Sequence, residues 1–293
     1  LEPSHADALH LLGVIACQQG DNAKAIDLIG RAIALQPNQP GYHGNLGNAL
    51  QQLGRLEEAA ASYGRAIRLQ PDFADAYSNL GHALRNLGRL DEAIGYFQQA
   101  MQLKPGHADA CNGLGSTLRS LGRLGEAEKC FRTAISWQPK FVNGYSNLGN
   151  TLRDLGRADD AITCFQKALE LQPDSPEILA SLGNTCREDG RNDEAEDAYR
   201  QAVRLVPDNL LFRLQAETLC PTVFPDVAAI DAFRDSLLER LNELRRETIR
   251  LQTDHIRRVG GEPPLNLQFH GRDELPLRQA YASLFAGSFP AID

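Results

Sequence analysis

The chain has no cysteine pair at metal-binding spacing, no lysine-rich run, no glycine-rich phosphate loop and no long apolar stretch. Each absence removes a class of function. The six cysteines, Cys17, Cys111, Cys130, Cys164, Cys186 and Cys220, form no C-x-x-C, and the seven histidines are scattered. No metal site and no cofactor are therefore expected. Net charge is −8 with no basic cluster, which argues against nucleic acid as a partner. No segment approaches the roughly 18 uninterrupted apolar residues of a membrane span. No nucleophile motif or paired acid and base is visible, so no catalytic residue is assigned and the chain as it stands is expected to be inactive. Most cysteines fall at apolar positions, as buried reduced thiols in a reducing, cytoplasmic compartment do.

What the chain does have is a period. Pro3, Pro37, Pro71, Pro105, Pro139, Pro173 and Pro207 are each 34 residues apart. Gly13, Gly47, Gly81, Gly115, Gly149 and Gly183 keep the same step, as do Gly20, Gly54, Gly88, Gly122, Gly156 and Gly190. A strict period of this length means one small unit stacked many times. With each unit counted from the third residue after its leading proline, repeats start near 6, 40, 74, 108, 142 and 176. Apolar residues at positions 4, 7 and 11, such as Tyr77, Leu80 and Leu84, share one helix face. Positions 20, 24 and 27, such as Ala93, Phe97 and Ala100, share another, so each unit is two helices, A and B.

Punctuation agrees with this reading. The proline ends helix B, and Asn38, Asp72, Asp174 and Asp208 stand where they could cap the next helix A, with Asp75 and Glu177 in capping-box position. The glycine at position 15 suits a left-handed helix end. Acidic pairs such as Glu57–Glu58 and Asp91–Glu92 then open helix B, where the dipole favours them. The glycine at position 8 lies mid-helix at a cost of about 1 kcal/mol. A close approach of helix B, whose facing positions 20 and 27 are almost always Ala, would offset it. Ile29 replaces the usual aromatic in repeat one, which predicts slightly looser packing there. His43 falls at a core position.

These residues resemble the tetratricopeptide-repeat (TPR) signature: Leu-Gly at positions 7 and 8, Ala at 20, Tyr or Phe at 24, Ala at 27 and Pro at 32. The resemblance covers Ala6 to Asn209, six full repeats. It implies an all-α fold, a right-handed superhelix or alpha-alpha solenoid over residues 1–209. Residues 210–293 then form a C-terminal helical segment that caps the stack and leads into a following domain. Leu1-Glu2-Pro3 reads like Leu35-Gln36-Pro37, so part of a further unit is expected before residue 1.

After Pro207, residues 210–220 read as a closing helix, and Asp226 to about Ile256 as a long amphipathic one. A loop, Gly260 to Pro264, leads to Pro264–Leu275 and a helix near Leu277–Phe285. This tail resembles the linker of bacterial SPINDLY-like and O-GlcNAc transferase proteins, the family 41 glycosyltransferases, with Phe269, Gly271 and Asp273 at matching positions. His270 stands where an aromatic is usual, and no catalytic role is carried onto it. In that group a sugar-nucleotide domain follows the linker, and the chain ends before one.

The TPR resemblance also implies a concave face built from helix-A positions 2, 5, 6, 9, 12 and 13. Position 6 gives Asn45, Asn79 and Asn147; position 9 gives Asn48, His82, Asn150 and Asn184; position 12 gives Arg85, Arg119, Arg153 and Arg187. Asparagine amides both donate and accept, so a row of them can hold an extended backbone without reading its sequence. The arginines suit carboxylates or carbonyls, although Asp154 or Glu188 could pair with them. Proteins or extended peptides are the expected partners. Two readings remain open: the substrate-recruiting region of a protein glycosyltransferase, or a stand-alone adaptor. A clamp for a terminal carboxylate is disfavoured, because position 2 is acidic at Asp7, Asp75, Asp109 and Glu177.

Overall fold

A computed structural model of the chain describes residues 5–219, 226–246 and 279. It divides into two compact units, Leu1–Leu155 and Gly156–Asp293. The described residues hold helices and no strand, which bears out the all-helical expectation.

The first unit contains α1 (Ala6–Gln18), α2 (Asn22–Leu35), α3 (Pro40–Gln52), α4 (Leu56–Leu69), α5 (Ala74–Asn86), α6 (Leu90–Leu103), α7 (Ala108–Ser120), α8 (Leu124–Trp137) and α9 (Val142–Asp154). Odd-numbered helices here are helix A of a repeat. Helices α1, α3, α5 and α7 each pack on their own helix B, α3, α5, α7 and α9 pack on the preceding helix B, and successive helices A touch. This is the nearest-neighbour pattern of a repeat protein.

The core is a column of alanines and rings. Ala59, Ala66, Ala93, Ala100, Ala127 and Ala134 are fully buried, as are Tyr63, Phe97 and Phe131. The rings also account for the mid-helix glycines. A Cβ added at Gly47 would lie 2.5 Å from the Tyr63 ring, one at Gly81 2.8 Å from Phe97, and one at Gly115 2.8 Å from Phe131. The sequence pointed to alanine as the facing residue, but the position-24 ring is what lies on the glycine. Burying such a ring stabilises by roughly 1.5–3 kcal/mol, which exceeds the helix penalty of about 1 kcal/mol for glycine. In repeat one the glycine contact at position 24 is as close as elsewhere, although Leu12 at position 7 is exposed. Ile29 is fully buried, and a Cβ at Gly13 would lie 2.6 Å from it.

Helix A ends as expected. Gly20, Gly54, Gly88, Gly122, Gly156 and Gly190 have φ between +72° and +82°. At α5 the Gly88 N–H donates to the Arg85 carbonyl at 3.0 Å and the Arg89 N–H to the Leu84 carbonyl at 2.9 Å, the paired bonds of a Schellman end. The N-caps fall one residue later than the sequence suggested, at Gln39, Phe73, Ser175 and Asn209. Asp72 lies instead inside a turn closed by Phe73 N–H on the Gln70 carbonyl at 3.1 Å. Of the two residues in capping-box position, Asp75 faces Lys104 and His107, and Glu177 accepts from the Ser175 hydroxyl at 3.2 Å.

The second unit contains α10 (Ala158–Leu171), α11 (Pro176–Glu188), α12 (Asn192–Leu205), α13 (Leu210–Glu217) and α14 (Val227–Arg246). Tyr199 is fully buried on Gly183, where a Cβ would meet its ring at 2.6 Å. Helix α13 packs on α12 as a seventh helix A would, with Phe212 and Leu214 buried and Asn209 capping it through Leu211 N–H at 3.0 Å. Helix α14 contacts α13, and its Leu237 and Leu241 are buried. The far part of the expected long helix, the Gly260–Pro264 loop, the Pro264–Leu275 stretch and the Leu277–Phe285 helix lie outside the described residues, apart from a helical Gln279. No helix among the described residues is long and apolar enough to cross a membrane.

Candidate functional site

Positions 6, 9 and 12 lie on one side of helix A, and most of what they hold is already engaged within the stack. In repeats two and three the Tyr63 hydroxyl donates to Asn48 Oδ1 at 2.8 Å, and Asn79 Nδ2 donates to the same oxygen at 3.2 Å. One amide oxygen thus joins α3, α4 and α5. Asn48 Nδ2 in turn reaches Asn45 Oδ1 at 3.4 Å, and Asn45 Nδ2 reaches His10 Nε2 at 2.8 Å. A polar thread therefore runs from repeat one into repeat three. Burial pushes the Tyr63 phenol well above its ordinary value and His10 below its own. His10 stacks on Tyr42 at 4.4 Å. The Tyr42 hydroxyl donates to Asp7, and burial, then that bond, hold it at about 12.

The second unit repeats the clasp. Tyr199 donates to Asn184 Oδ1 at 2.8 Å, and Gln215 Nε2 donates to the same oxygen at 3.0 Å. Gln215 is residue 6 of a seventh unit counted from Leu210. Carrying the count past Pro207 would have found it.

Repeats three and four are joined differently. Position 24 is Phe97, which has no hydroxyl, and position 9 is His82. Their rings meet edge to face, with centroids 4.9 Å apart. Position 6 of the next repeat is Gly113, where a Cβ would lie 2.5 Å from Phe97 Cζ and 2.9 Å from His82 Cε1. Burial, reinforced by the positive charge of Arg85 and then by His107, pushes His82 down to about 4. It is neutral at pH 7. Asn147 turns elsewhere and donates to Asn112 Oδ1 at 2.9 Å.

The arginines divide as well. Arg119 Nε bonds Asp154 Oδ2 at 2.6 Å, and Arg153 lies 3.9 Å from the same carboxylate. Arg85 and Arg187 are half-buried and make no ion pair among the described residues. Burial pushes the Arg85 guanidinium below its ordinary value. Asn150 is half-buried with no side-chain hydrogen bond among the described residues. Of the residues that the sequence singled out, Asn45, Asn48, Asn79, Asn147 and Asn184 are therefore tied into the stack. His82 is packed on a ring, Arg119 and Arg153 share Asp154, and Asn150, Arg85 and Arg187 are left open. His43 is half-buried rather than buried, 2.8 Å from the Pro37 carbonyl. No cluster with metal-ligand character occurs among the described residues.

Within each unit, helices packed on their sequence neighbours define a helical-repeat protein. The family follows from comparison with known proteins: tetratricopeptide-repeat models match residues 6–39, 47–88, 72–137 and 141–208. The chain belongs to the tetratricopeptide-repeat family. No curated protein matches it. Among solved structures it is similar to the APC/C hetero-tetramer Cut9-Hcn1, at 17% identity and a TM-score of 0.68 over 74% of this chain and 43% of that one. It thus spans less than half of that protein. It is also similar to PilW, described as a widely conserved type IV pilus biogenesis factor, at 22% identity and a TM-score of 0.64, covering 69% of this chain and 94% of that one. Pseudomonas aeruginosa pilF matches at 19% identity and a TM-score of 0.61, covering 71% and 95%. At these identities the likeness is one of fold.

Proposed function

We propose that the helix-A face binds partner proteins through extended, acidic segments. The observation that carries this reading is Arg85: a half-buried guanidinium with no carboxylate beside it among the described residues. A desolvated cation without a counter-charge is unfavourable, and an anionic side chain of a partner would relieve it. Arg187 offers the same in the second unit. Asn150 supplies an uncommitted amide that can both donate to and accept from a peptide backbone. Arg119 and Arg153 join by exchanging Asp154 for the ligand. Asn45, Asn48, Asn79, Asn147 and Asn184 shape this face, with His82 beside Arg85. Each charged hydrogen bond contributes roughly 1.5–3 kcal/mol at best, so affinity accumulates along the helices instead of residing in one pocket.

The test uses a fluorescent peptide of Asp, Ser and Gly and its counterpart with Lys for Asp. The acidic peptide binds, and salt weakens it. Changing Arg85, Arg119, Arg153 and Arg187 to Ala removes binding without lowering the melting temperature. Equal binding of both peptides, or no effect of the fourfold change, overturns the reading.

The tail supports a narrower role, recruitment of proteins to a sugar-transfer domain of the family 41 kind. What supports it is the sequence resemblance at Phe269, Gly271 and Asp273. The residues encoded after Asp293 in the gene decide it. A following nucleotide-sugar domain, with transfer from UDP-GlcNAc or GDP-fucose to protein by the whole gene product and none by residues 1–293, supports it. A stop codon there leaves an adaptor.

A further inference from the structure

Cys111 on α7 and Cys130 on α8 face each other across one helix pair. Cys111 is buried and Cys130 partly exposed. They share an apolar cluster with Ala108, Ala134, Phe141 and Met101. The Cys111 thiol donates to the Cys130 carbonyl at 3.1 Å, and the two thiols are near enough to shift each other. That contact raises the Cys111 thiol and lowers Cys130, so the more accessible sulfur is also the better thiolate. Cys164 occupies the same position 23 in the next repeat, but position 4 of that repeat is Tyr145, not cysteine. The sequence read these cysteines as inert buried thiols. The juxtaposition of two of them has a different consequence.

We propose that Cys111 and Cys130 form a reversible oxidation site, in which Cys130 reacts with a hydroperoxide and Cys111 resolves it to a disulfide between α7 and α8. The Cys130 thiolate attacks one oxygen of hydrogen peroxide, the O–O bond breaks, and the departing hydroxide takes a proton to become water. The Cys111 sulfur, as it gives up its proton, then attacks the Cys130 sulfenic acid. The S–O bond breaks, and the hydroxyl leaves with that proton as a second water. Two thiols are oxidised by two electrons in all, and one peroxide is reduced to two waters. The product ties together the two helices of repeat four, next to Asn112, which accepts from Asn147.

The experiment exposes the folded, reduced chain to hydrogen peroxide, blocks remaining thiols with N-ethylmaleimide and digests with trypsin. Arg119, Arg123 and Lys129 lie between the two cysteines, so the bond appears as two linked peptides. A dithiothreitol-reversible Cys111–Cys130 link is expected, as a thiol with a resolving partner beside it forms. In Cys111→Ser, Cys130 stops at a sulfenic acid that dimedone traps. In Cys130→Ser, Cys111 stays reduced. Wild-type protein in which Cys130 is oxidised without a link to Cys111 overturns the proposal. So does a link that forms only in urea-unfolded chain, and neither outcome depends on a variant folding.

Discussion

The junction between repeats two and three and the junction between repeats three and four solve one packing problem with different chemistry. In the first, Tyr63 lies on Gly47 and its hydroxyl, with Asn79, satisfies Asn48. In the second, Phe97 is held between Gly81 and Gly113, with His82 edge-on to its ring. Removing one hydroxyl at position 24 removes the donor that an asparagine at position 9 uses, and an aromatic heterocycle takes its place. The extra ring volume then requires glycine at position 6 of the next repeat. Three positions in two repeats therefore differ between these junctions: 24, 9 and position 6 of the next repeat. The tyrosine junction is a hydrogen-bond solution; the phenylalanine junction is a shape solution, and it places a titratable ring in the interior.

The largest expected break in the comparison is acid. His82 is lowered from its ordinary 6.5 to about 4 by burial first, then by Arg85 and His107. The unfolded chain therefore binds this proton at higher pH than the folded one. The histidine's contribution is complete above pH 6.5 and is lost as pH falls towards 4, by roughly 3 kcal/mol at most. His10 acts in the same direction, so the measurement is a difference: urea unfolding of wild type and His82→Asn from pH 7 to 4. The wild type should lose stability more steeply across that window. Parallel curves would mean that His82 titrates normally.

Next comes space. Gly113→Ala sets a methyl 2.5 Å from Phe97 Cζ and should destabilise by about 1–3 kcal/mol, as overpacking does. Gly95→Ala, in α6 with nothing within 4 Å of the added carbon, should stabilise by about 0.5–1 kcal/mol through helix propensity. Denaturant midpoints of the two variants should move in opposite directions. A shift of the same sign would show that the Gly113 contact is soft.

Much of this was legible in the sequence, and the limits have physical causes. The period located every helix pair, because proline and left-handed glycine act locally, through their own φ. The partner of the mid-helix glycine was misassigned, because a face of small residues is visible in the string while the ring crossing it depends on interhelical geometry. The caps were displaced by one residue because Pro71-Asp72 closes a turn before α5 starts. The residues of the candidate face could be named by counting, but not what engages them within the stack. Whether Asn48 is open or clasped depends on Tyr63, 15 residues away, and on Asn79, 31 residues away. The fate of Arg119 likewise depends on Asp154, in the next repeat.

The smallest expected effect tests the clasp itself. Tyr63→Phe removes one donor from Asn48 Oδ1 but leaves Asn79 in place, so the oxygen is not orphaned. A loss of about 1 kcal/mol is expected. Asn48→Ala removes the shared acceptor, strands the Asn79 amide and leaves the Tyr63 hydroxyl only its longer bond to Gln51 Oε1 at 3.3 Å, which should cost more, about 1–3 kcal/mol. In the double variant the tyrosine no longer has a hydroxyl to strand, so the pair should be less harmful than the sum of its parts. The coupling, measured by urea unfolding as a double-mutant cycle, should be at least about 0.5 kcal/mol. The same cycle on Tyr199 and Asn184 should give a similar value in the second unit, because Gln215 supplies the donor that Asn79 supplies in the first. At the shared oxygen the third residue is an asparagine of a full repeat in one site and a glutamine of the closing helix in the other. Additive losses at both would show that the shared oxygen is exchangeable with water, and the distinction between a hydrogen-bond junction and a shape junction would collapse. Coupling at Tyr63 but not at Tyr199 would confine the clasp to junctions between complete repeats.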